Sequence, residues 1–258
     1  MIALWGVALA AVVAVGAWRA RALTPNGAIA AGLVGAATFG AGGWPAAAVL
    51  FAFFVPSALL SKAGSARKRA MTDTGKHGPR DARQVLANGG VAAVCALAAT
   101  RGNGAFAAAF AGAFAAAAAD TWATEIGVLS PERPRSILTF RPVVAGLSGG
   151  VTVAGTLASL AGAVAVASTA TLTGIAAFAP VAVAGVAGSL ADSAIGAALQ
   201  ALRWCPHCER ACETNPHACG TPTQLRRGLE WMDNDAVNLA ATLTGAVVAA
   251  SFVAWATR

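Results

Sequence analysis

The amino-acid sequence predicts an all-α fold, a polytopic membrane helix bundle of about eight transmembrane helices with polar cytoplasmic loops. Of its 258 residues, 57% are hydrophobic and 11% are charged, and the mean hydropathy is +0.65. Soluble domains carry about a quarter charged residues, so a soluble protein is excluded. Ala, Val and Gly supply most of the apolar residues, and such small side chains favour close packing between helices. We therefore expect a single integral membrane domain over residues 1–258.

Eight apolar segments approach the roughly 20 residues that a helix needs to cross a bilayer. The basic residues Arg19 and Arg21 follow the first segment, whereas a signal peptide carries its positive charge before the apolar run. The first segment is therefore expected to be a membrane span, with the N-terminus outside. The predicted spans are 2–18, 27–42, 44–60, 84–100, 104–119, 147–167, 174–202 and 237–256.

The charge distribution predicts the orientation of the bundle. The net charge is +7, and 16 of the 18 Lys and Arg residues lie in four connections, 19–26, 61–83, 120–146 and 203–236. With eight spans these connections fall on one side, which the positive-inside rule identifies as cytoplasmic. Attraction to anionic membrane lipid accounts for this pattern, so we expect no nucleic acid partner. Two of the connections are a basic loop at 61–83 and a Cys/His-rich loop at 203–236.

Two carboxylates end the otherwise apolar fifth span. Asp120 and Glu125 follow the run Ala115 to Ala119, and either a metal site or a solvated helix end explains them. Five residues apart in a regular helix, they point about 140° away from each other. Joint metal binding therefore requires the helix to end or unwind near Thr121–Glu125. A straight helix through Gly127 would leave Asp120 as the sole ligand of the pair.

Three more polar clusters lie at predicted cytoplasmic helix ends, around Asn88, Asp192 and Asn234. Asp192 is expected at the level of Asp120, and an acid inside an apolar helix is a functional candidate. Bonds within the bundle, a surface position and helix capping remain open as alternatives. Carboxylates bind Mg²⁺ together with substrate phosphates, arginines bind phosphate, and a Gly-rich turn at a helix start presents N–H groups to it. The candidate nucleotide- and phosphate-binding residues are Arg83, Asn88, Thr121, Arg141, Ser148, Gly149, Gly150, Ser193, Gln200, Asn234, Asp235 and Asn238.

The last cytoplasmic loop concentrates cysteine and histidine. Cys205, Cys208, His217 and Cys219 are ligand types that structural Zn²⁺ prefers. Clustered cysteines in a reducing compartment are more often metal ligands than disulfides. A structural zinc ion, free thiols and a disulfide all remain open at this point. Cys95, within the fourth span, is expected to be a small core residue.

Polar motifs recur at the predicted helix ends along the chain. They are Leu23-Thr24 with Gly27-Ala28, the segments 84–90 and 120–127, Ser148-Gly149-Gly150, Asp192-Ser193 with Gly196-Ala197 and Gln200, and the segment 234–238. Together these motifs resemble the transmembrane-protein-19-like family, which includes plant phytyl-phosphate kinase. More loosely, they resemble CTP-dependent polyprenol kinases and phosphatidate cytidylyltransferases. Leu147 departs from the pattern, because Thr is expected before Ser-Gly-Gly.

The resemblance implies a Mg²⁺-dependent kinase that converts an isoprenyl monophosphate to the diphosphate, with CTP or ATP as the phosphoryl donor. Carried onto this sequence, Asp120 and Glu125 would be catalytic or Mg²⁺ ligands and Asp192 a further Mg²⁺ ligand. Asn88, Ser148, Asn234 and Asn238 would contact phosphate or nucleotide. The alternatives are a cytidylyltransferase acting on a lipid phosphate, and a transporter or scaffold without enzymatic activity. The expected partners are the isoprenyl phosphate, the nucleotide and membrane lipid, and a homo-oligomer is left open.

Overall fold

The computed structural model describes residues 2–63 and 78–256, and its described residues form seven helices and five short strands. Six of the helices are long and apolar enough to cross a membrane, and the first contributes a shorter apolar stretch, Trp5–Arg19. These features confirm the predicted polytopic helix bundle. The helices are α1 Ile2–Arg19, α2 Pro25–Lys62, α3 Ala82–Ala99, α4 Gly104–Gly127, α5 Val153–Leu172, α6 Phe178–Leu199 and α7 Asn234–Ala256.

The described residues form seven helical elements rather than eight, because the second and third predicted spans, 27–42 and 44–60, are the two halves of α2. Gly43 interrupts it with non-helical backbone at φ 59° and ψ −148°. A straight helix of 38 residues would extend about 57 Å. Both ends of α2 nevertheless contact Arg80: the Thr24 backbone N–H donates to the Arg80 carbonyl at 3.0 Å, and Arg80 Nη2 donates to Ser61 Oγ at 3.2 Å. The chain therefore turns back at Gly43, and the halves of α2 lie side by side.

Helix α4 lies at the centre of the bundle, in contact with α2, α3, α5, α6 and α7. The side chains of Ala115 to Ala119 are at most 1% exposed. A Cβ at Gly112 would lie 2.5 Å from the Gly245 carbonyl oxygen, so α4 and α7 are in direct backbone contact. Small residues thus allow one helix to contact five others.

The carboxyl-terminal end of α4 differs from the prediction. The fifth span was expected to end at 119, but the helix continues through Asp120 and Glu125 to Gly127 without a break. No proline or glycine occurs between Ala119 and Gly127, so nothing in the covalent structure of this segment interrupts the helix. The two carboxylates therefore stay on different faces of α4.

Short strands form outside the bundle, mainly within two of the connections predicted as polar loops. The exception is the strand at residues 150–151, which occupies the start of the predicted sixth span 147–167, because the helix of that span begins only at Val153. Strands β1 Arg135–Ser136 and β2 Gly150–Val151 pair antiparallel. Strands β3 Leu202–Cys205, β4 Arg210–Cys212 and β5 Gln224–Arg227 form an antiparallel sheet in the order β4-β3-β5. The middle of the predicted basic loop 61–83, residues 64–77, lies outside the described residues.

The packing of α4 against α7 predicts a stability difference between two Gly→Ala substitutions. Gly112→Ala places a methyl group against the Gly245 backbone and should lower the free energy of unfolding by about 1–3 kcal/mol. Gly40 is an exposed helical glycine at which an added Cβ would meet nothing within 4 Å, so Gly40→Ala should be neutral or slightly stabilising. Thermal unfolding of the detergent-solubilised protein compares the two variants. Equal melting temperatures would contradict the proposed close contact.

Candidate active site

A cavity of about 1620 Å³ lies at one end of the bundle. It is formed where the starts of α3, α5 and α7 meet the ends of α4 and α6, together with the end of α2 and residues just before its start. The predicted polar clusters, which are far apart in the sequence, therefore meet here. The predicted site residues that line the cavity are Asn88, Asp120, Thr121, Glu125, Ser148, Gly149, Gly150, Asp192, Ser193, Asn234 and Asn238.

The side chains of Asp120 and Asp192 line the cavity close enough together to interact with each other. Their helices α4 and α6 both point their carboxyl-terminal ends at the cavity. One turn earlier these helices touch, because a Cβ at Gly188 would collide with Ala116 Cβ. Asp120 and Asp192 each follow that contact by four residues, so both lie one helical turn closer to the cavity. The helix packing thereby brings the two carboxyl groups together.

Two carboxyl groups in contact repel each other when both are ionised, so a proton or a cation must lie between them. Both side chains are half-buried at the surface of the cavity, where a cation can enter. Mg²⁺ is typically held by one or two protein carboxylates together with water and substrate phosphates. The pair thus matches the donor set that Mg²⁺ requires.

Glu125 points to a different part of the cavity wall from Asp120. Its Oε1 accepts a hydrogen bond from Ser61 Oγ at 2.6 Å, and Ser61 Oγ in turn accepts one from Arg80 Nη2 at 3.2 Å. The Glu125 charge also interacts with the Arg80 guanidinium. Because α4 remains helical, Asp120 is the only member of the predicted Asp120–Glu125 pair that meets Asp192. Glu125 instead connects α4 to the end of α2 and to Arg80.

The glycine-rich turn Ser148-Gly149-Gly150 lies in the cavity wall but does not directly open a helix. Helix α5 begins at Val153, and Thr152 caps it by accepting a hydrogen bond from the Gly155 N–H. The Gly149 backbone has φ 79° and lies so close to α6 that a Cβ would collide with Ala197. Gly149 is therefore required both by its backbone conformation and by its contact with α6.

A carboxylate of the protein already binds the turn. Glu213 Oε1 accepts from the Ser148 N–H at 2.7 Å, and its Oε2 accepts from Ser148 Oγ at 3.1 Å and from Gln200 Nε2 at 3.0 Å. Burial raises the pKa of Glu213, while the Ser148 hydrogen bonds and the charge of Arg227 lower it. The Ser148 donors that the sequence assigned to phosphate are thus occupied by an anionic side chain from the Cys/His-rich loop.

Four predicted residues lie outside the cavity lining: Arg83, Arg141, Gln200 and Asp235. Arg83 forms ion pairs with Asp233 at 3.0 Å and with Asp235 at 3.8 Å, and so joins the starts of α3 and α7. Gln200 donates a hydrogen bond to the Glu213 carboxylate from outside the cavity lining, and Arg141 is exposed. Asp233 also caps α7 by accepting from the Ala236 N–H at 3.0 Å, one of the alternatives left open by the sequence.

Two of the three asparagines that line the cavity bond within their own helices. Asn88 Nδ2 donates to the Gln84 carbonyl at 2.9 Å, and Asn238 Nδ2 donates to the Asn234 carbonyl at 2.8 Å. One amide hydrogen of each is thereby used inside the helix. The side-chain oxygens and second amide hydrogens remain at the cavity wall, where they can contact a ligand.

Sequence reasoning missed several lining residues. Arg21, Lys62, Arg80 and Arg133 add positive charge to the cavity, and Ser61 and Glu213 add hydrogen-bonding groups. In the sequence, the basic residues were recognised only as part of the positive charge of the connections between spans. Nothing in the sequence distinguished Arg80, whose position follows from its backbone bonds to Ala22 and Thr24, or Glu213, which lies 65 residues from its partner Ser148.

One wall of the cavity is apolar and reaches the surface of the bundle. It is formed by residues of α5 and α6, Leu157, Leu160, Val186 and Leu190. Leu157 is 63% exposed, and Leu160 and Leu190 are each 50% exposed. In a membrane-spanning bundle such side chains face lipid. The cavity therefore joins a polar region at the helix ends to an apolar surface.

The four predicted zinc ligands lie together, away from the cavity lining. One donor atom from each of Cys205, Cys208, His217 and Cys219 lies within 4.8 Å of the other three, the one such group of three or more His, Cys, Asp and Glu residues found among the described residues. Hydrogen bonding with the Thr221 and His217 side chains lowers the pKa of the Cys219 thiol to about 5. Cys95 lies in α3, where it packs against the hydrophobic core.

Known proteins resemble this chain over nearly its whole length. Protein PGR of Arabidopsis thaliana is 32% identical over 273 aligned residues, which cover 93% of this chain and 92% of the relative. An uncharacterized membrane protein of Methanocaldococcus jannaschii is 29% identical over 89% of this chain and 85% of the relative. Another, from Synechocystis, is 28% identical over 89% and 82%. No solved structure matches the chain.

These similarities confirm the resemblance inferred from the polar motifs. The family described as integral membrane protein DUF92 matches residues 8–246, which include every predicted span in whole or in part and every candidate site residue. The structural evidence agrees, since six helices of the described chain are long and apolar enough to cross a membrane. The chain therefore belongs to the integral membrane protein family DUF92.

Proposed function

We propose that this protein is a Mg²⁺-dependent membrane kinase that transfers a phosphoryl group from CTP or ATP to an isoprenyl monophosphate. The observation that carries the proposal is a single cavity that combines three features. These are the Asp120–Asp192 carboxyl pair, a set of basic side chains and an apolar wall that reaches the lipid-facing surface. Phosphoryl transfer between a nucleotide and a membrane lipid requires all three.

The carboxyl pair supports a metal-dependent reaction. Asp120 and Asp192 would hold Mg²⁺, and Thr121 and Ser193 place hydroxyl groups next to them along the same helices. When bound, Mg²⁺ neutralises phosphate charge that would otherwise be repelled by the carboxylates. Glu125 would contribute indirectly, because it is bonded to Ser61 and near Arg80 rather than to Asp120.

The basic residues support an anionic substrate with several phosphates. Arg80 is fixed by Ser61 through its side chain and by Thr24 through its backbone, so its guanidinium has a defined place at the cavity wall. Arginine binds phosphate oxygens in a fixed planar geometry. A phosphate-monoester acceptor is largely ionised near neutral pH, since its second pKa is about 6. Its attack on a nucleotide phosphate therefore requires no general base, and positioning and charge neutralisation suffice.

The apolar wall supports a lipid acceptor. Leu157 and Leu160 of α5 and Leu190 of α6 line the cavity while remaining half or more exposed at the bundle surface. An isoprenyl chain can lie along them in the membrane while its phosphate reaches the polar end of the cavity. The concentration of basic residues in four connections favours the cytoplasmic side for this polar end.

Loss of either central carboxylate should abolish turnover. Purified protein incubated with Mg²⁺, CTP or ATP and a panel of prenyl monophosphates is expected to yield prenyl diphosphates, identified by mass. Asp120→Asn and Asp192→Asn should each lower kcat by about 100-fold or more, the scale of a lost electrostatic contact to the transition state. Glu209→Gln is the matched control, because Glu209 is an exposed acid outside the cavity lining.

Three results would count against this assignment. Full turnover by Asp120→Asn would show that the carboxyl pair is not catalytic. A product carrying a cytidylyl group would reassign the reaction to nucleotidyl transfer. A protein whose melting temperature is unchanged by nucleotide and Mg²⁺, and which forms no product, would fit a transporter or scaffold instead.

The glycine-rich turn predicts a second, sharper comparison. Gly149→Ala should abolish activity, because a methyl group there collides with Ala197 of α6 in addition to straining a backbone at φ 79°. Gly102 has nearly the same backbone, at φ 81°, but nothing lies within 4 Å of a Cβ. Gly102→Ala should cost only the conformational strain, about 1–2 kcal/mol, and keep its activity. If both variants kept equal activity, the contact between the turn and α6 would not matter for the reaction.

A further inference from the structure

We propose that Cys205, Cys208, His217 and Cys219 bind one structural Zn²⁺ ion. The distances between the donor atoms are close to the edge lengths of a zinc coordination tetrahedron. Cys205 Sγ is 3.7 Å from Cys219 Sγ, Cys208 Sγ is 3.6 Å from His217 Nδ1, and His217 Nδ1 is 3.1 Å from Cys219 Sγ. With Zn–S of about 2.3 Å and Zn–N of about 2.0–2.1 Å, tetrahedral zinc requires S···S of about 3.8 Å and S···N of about 3.6 Å.

Two tight turns supply the ligands in pairs. Cys205 ends β3, and its Sγ accepts a hydrogen bond from the Cys208 N–H at 3.4 Å in the first turn. In the second turn the Gly220 N–H donates to the His217 carbonyl at 2.8 Å, which brings Cys219 back beside His217. All four thiols of this loop are free of disulfides.

The surrounding sheet needs a stabilising element that its apolar residues do not supply. Strands β3 to β5 span residues 202–227, and all four residues of β5 are exposed. Within this sheet the fully buried side chains are Cys205 and Cys212. Segments far below about 40 residues rarely fold on a hydrophobic core alone and commonly use a metal or disulfides. Zinc coordination by Cys205 and its three partners would stabilise the sheet in place of a hydrophobic core.

The zinc module would also position a residue of the cavity wall. Cys212 ends β4 in register with Arg203 of β3, and Glu213 follows it directly. The Glu213 carboxylate then binds Ser148 and Gln200. The proposed zinc site lies at one end of the β3–β4 pair, at Cys205, and Glu213 follows the opposite end, at Cys212, so the metal would fix the backbone from which Glu213 reaches the turn. Glu213 is accordingly a positioning residue that depends on zinc.

Metal analysis of the full-length protein tests the site independently of any activity. Protein purified in detergent without chelators should contain about one zinc per chain by elemental mass spectrometry. Cys208→Ser and His217→Ala should lose the metal. The matched controls are Cys212→Ser, a buried cysteine outside the four, and His207→Ala, an exposed histidine next to Cys208, and both should keep it. Exchange with Co²⁺ should give thiolate-to-cobalt absorption in the wild type and controls only.

Several outcomes would overturn the proposal. These are a wild-type protein without stoichiometric metal, a disulfide among these cysteines in protein purified without reductant, and zinc retained by Cys208→Ser. Loss of zinc in His207→Ala but not in His217→Ala would show that the ligand set is wrong. If the ligand variants fail to fold, the metal content and cobalt spectrum of the wild type alone still decide whether the site exists.

Hydrogen exchange tests the link to the cavity. Removing zinc with a chelator should speed amide exchange in the segment 145–150, because Glu213 no longer holds the Ser148 N–H. Glu213→Gln should speed the same exchange while keeping its zinc. Unchanged exchange after zinc loss would refute the positioning role, and failure of the proposed kinase reaction would leave the metal and exchange results unaffected.

Discussion

The close approach of helix backbones around α4 is the constraint on which the rest of the structure depends. Lipid tails are as apolar as leucine side chains, so hydrophobic burial does little to associate helices in a membrane, and van der Waals packing must do so. Gly112 meets the Gly245 carbonyl of α7, Gly162 of α5 meets the Ala118 backbone, and Gly185 of α6 meets Ala115. Larger side chains at these positions would separate α4 from its neighbours.

The register of the packed helices determines which side chains meet at the cavity. Because α4 and α6 touch at Ala116 and Gly188, their next inward residues are Asp120 and Asp192. A carboxylate inside the membrane costs free energy unless it has a partner. Here each acid is the other's neighbour, and that arrangement demands a proton or a cation. The same small residues that hold the bundle together therefore place two carboxyl groups side by side at its end.

The sequence was sufficient for the features that depend on local pattern. Composition and the spacing of apolar runs predicted the membrane bundle, and counting residues along the seventh span placed Asp192 at the level of Asp120. The break at Gly43 coincides with the predicted boundary between the second and third spans, although the helix continues on both sides. These successes reflect helix periodicity and hydrophobicity, which act within a single segment.

The features that the sequence did not predict depend on contacts between segments that are far apart in the chain. Helix α4 continues past Ala119 because its polar residues follow without a breaker, whereas polarity alone suggested a loop. The ion pairs of Arg83 with Asp233 and Asp235 were not predicted, because they form only where the starts of α3 and α7 adjoin. Glu213 was not recognised as a site residue because its binding to Ser148 has no local signature. Such pairings emerge only when the helices are packed.

The two ends of the cavity wall are held by different physical interactions, and this difference bears on how a substrate enters. On the apolar side, α5 and α6 pack against α4 through close backbone contacts. On the polar side, backbone contacts place the turn at Ser148 and the residues around Arg80, and side-chain hydrogen bonds add to them: Glu213 accepts from the Ser148 N–H, and Ser61 accepts from Arg80. Charged hydrogen bonds can be exchanged for bonds to phosphate at little net cost, whereas backbone packing cannot. In the proposed reaction, the lipid chain would therefore lie along packed helices, and its phosphate would meet hydrogen-bonding groups that can exchange their present partners for it.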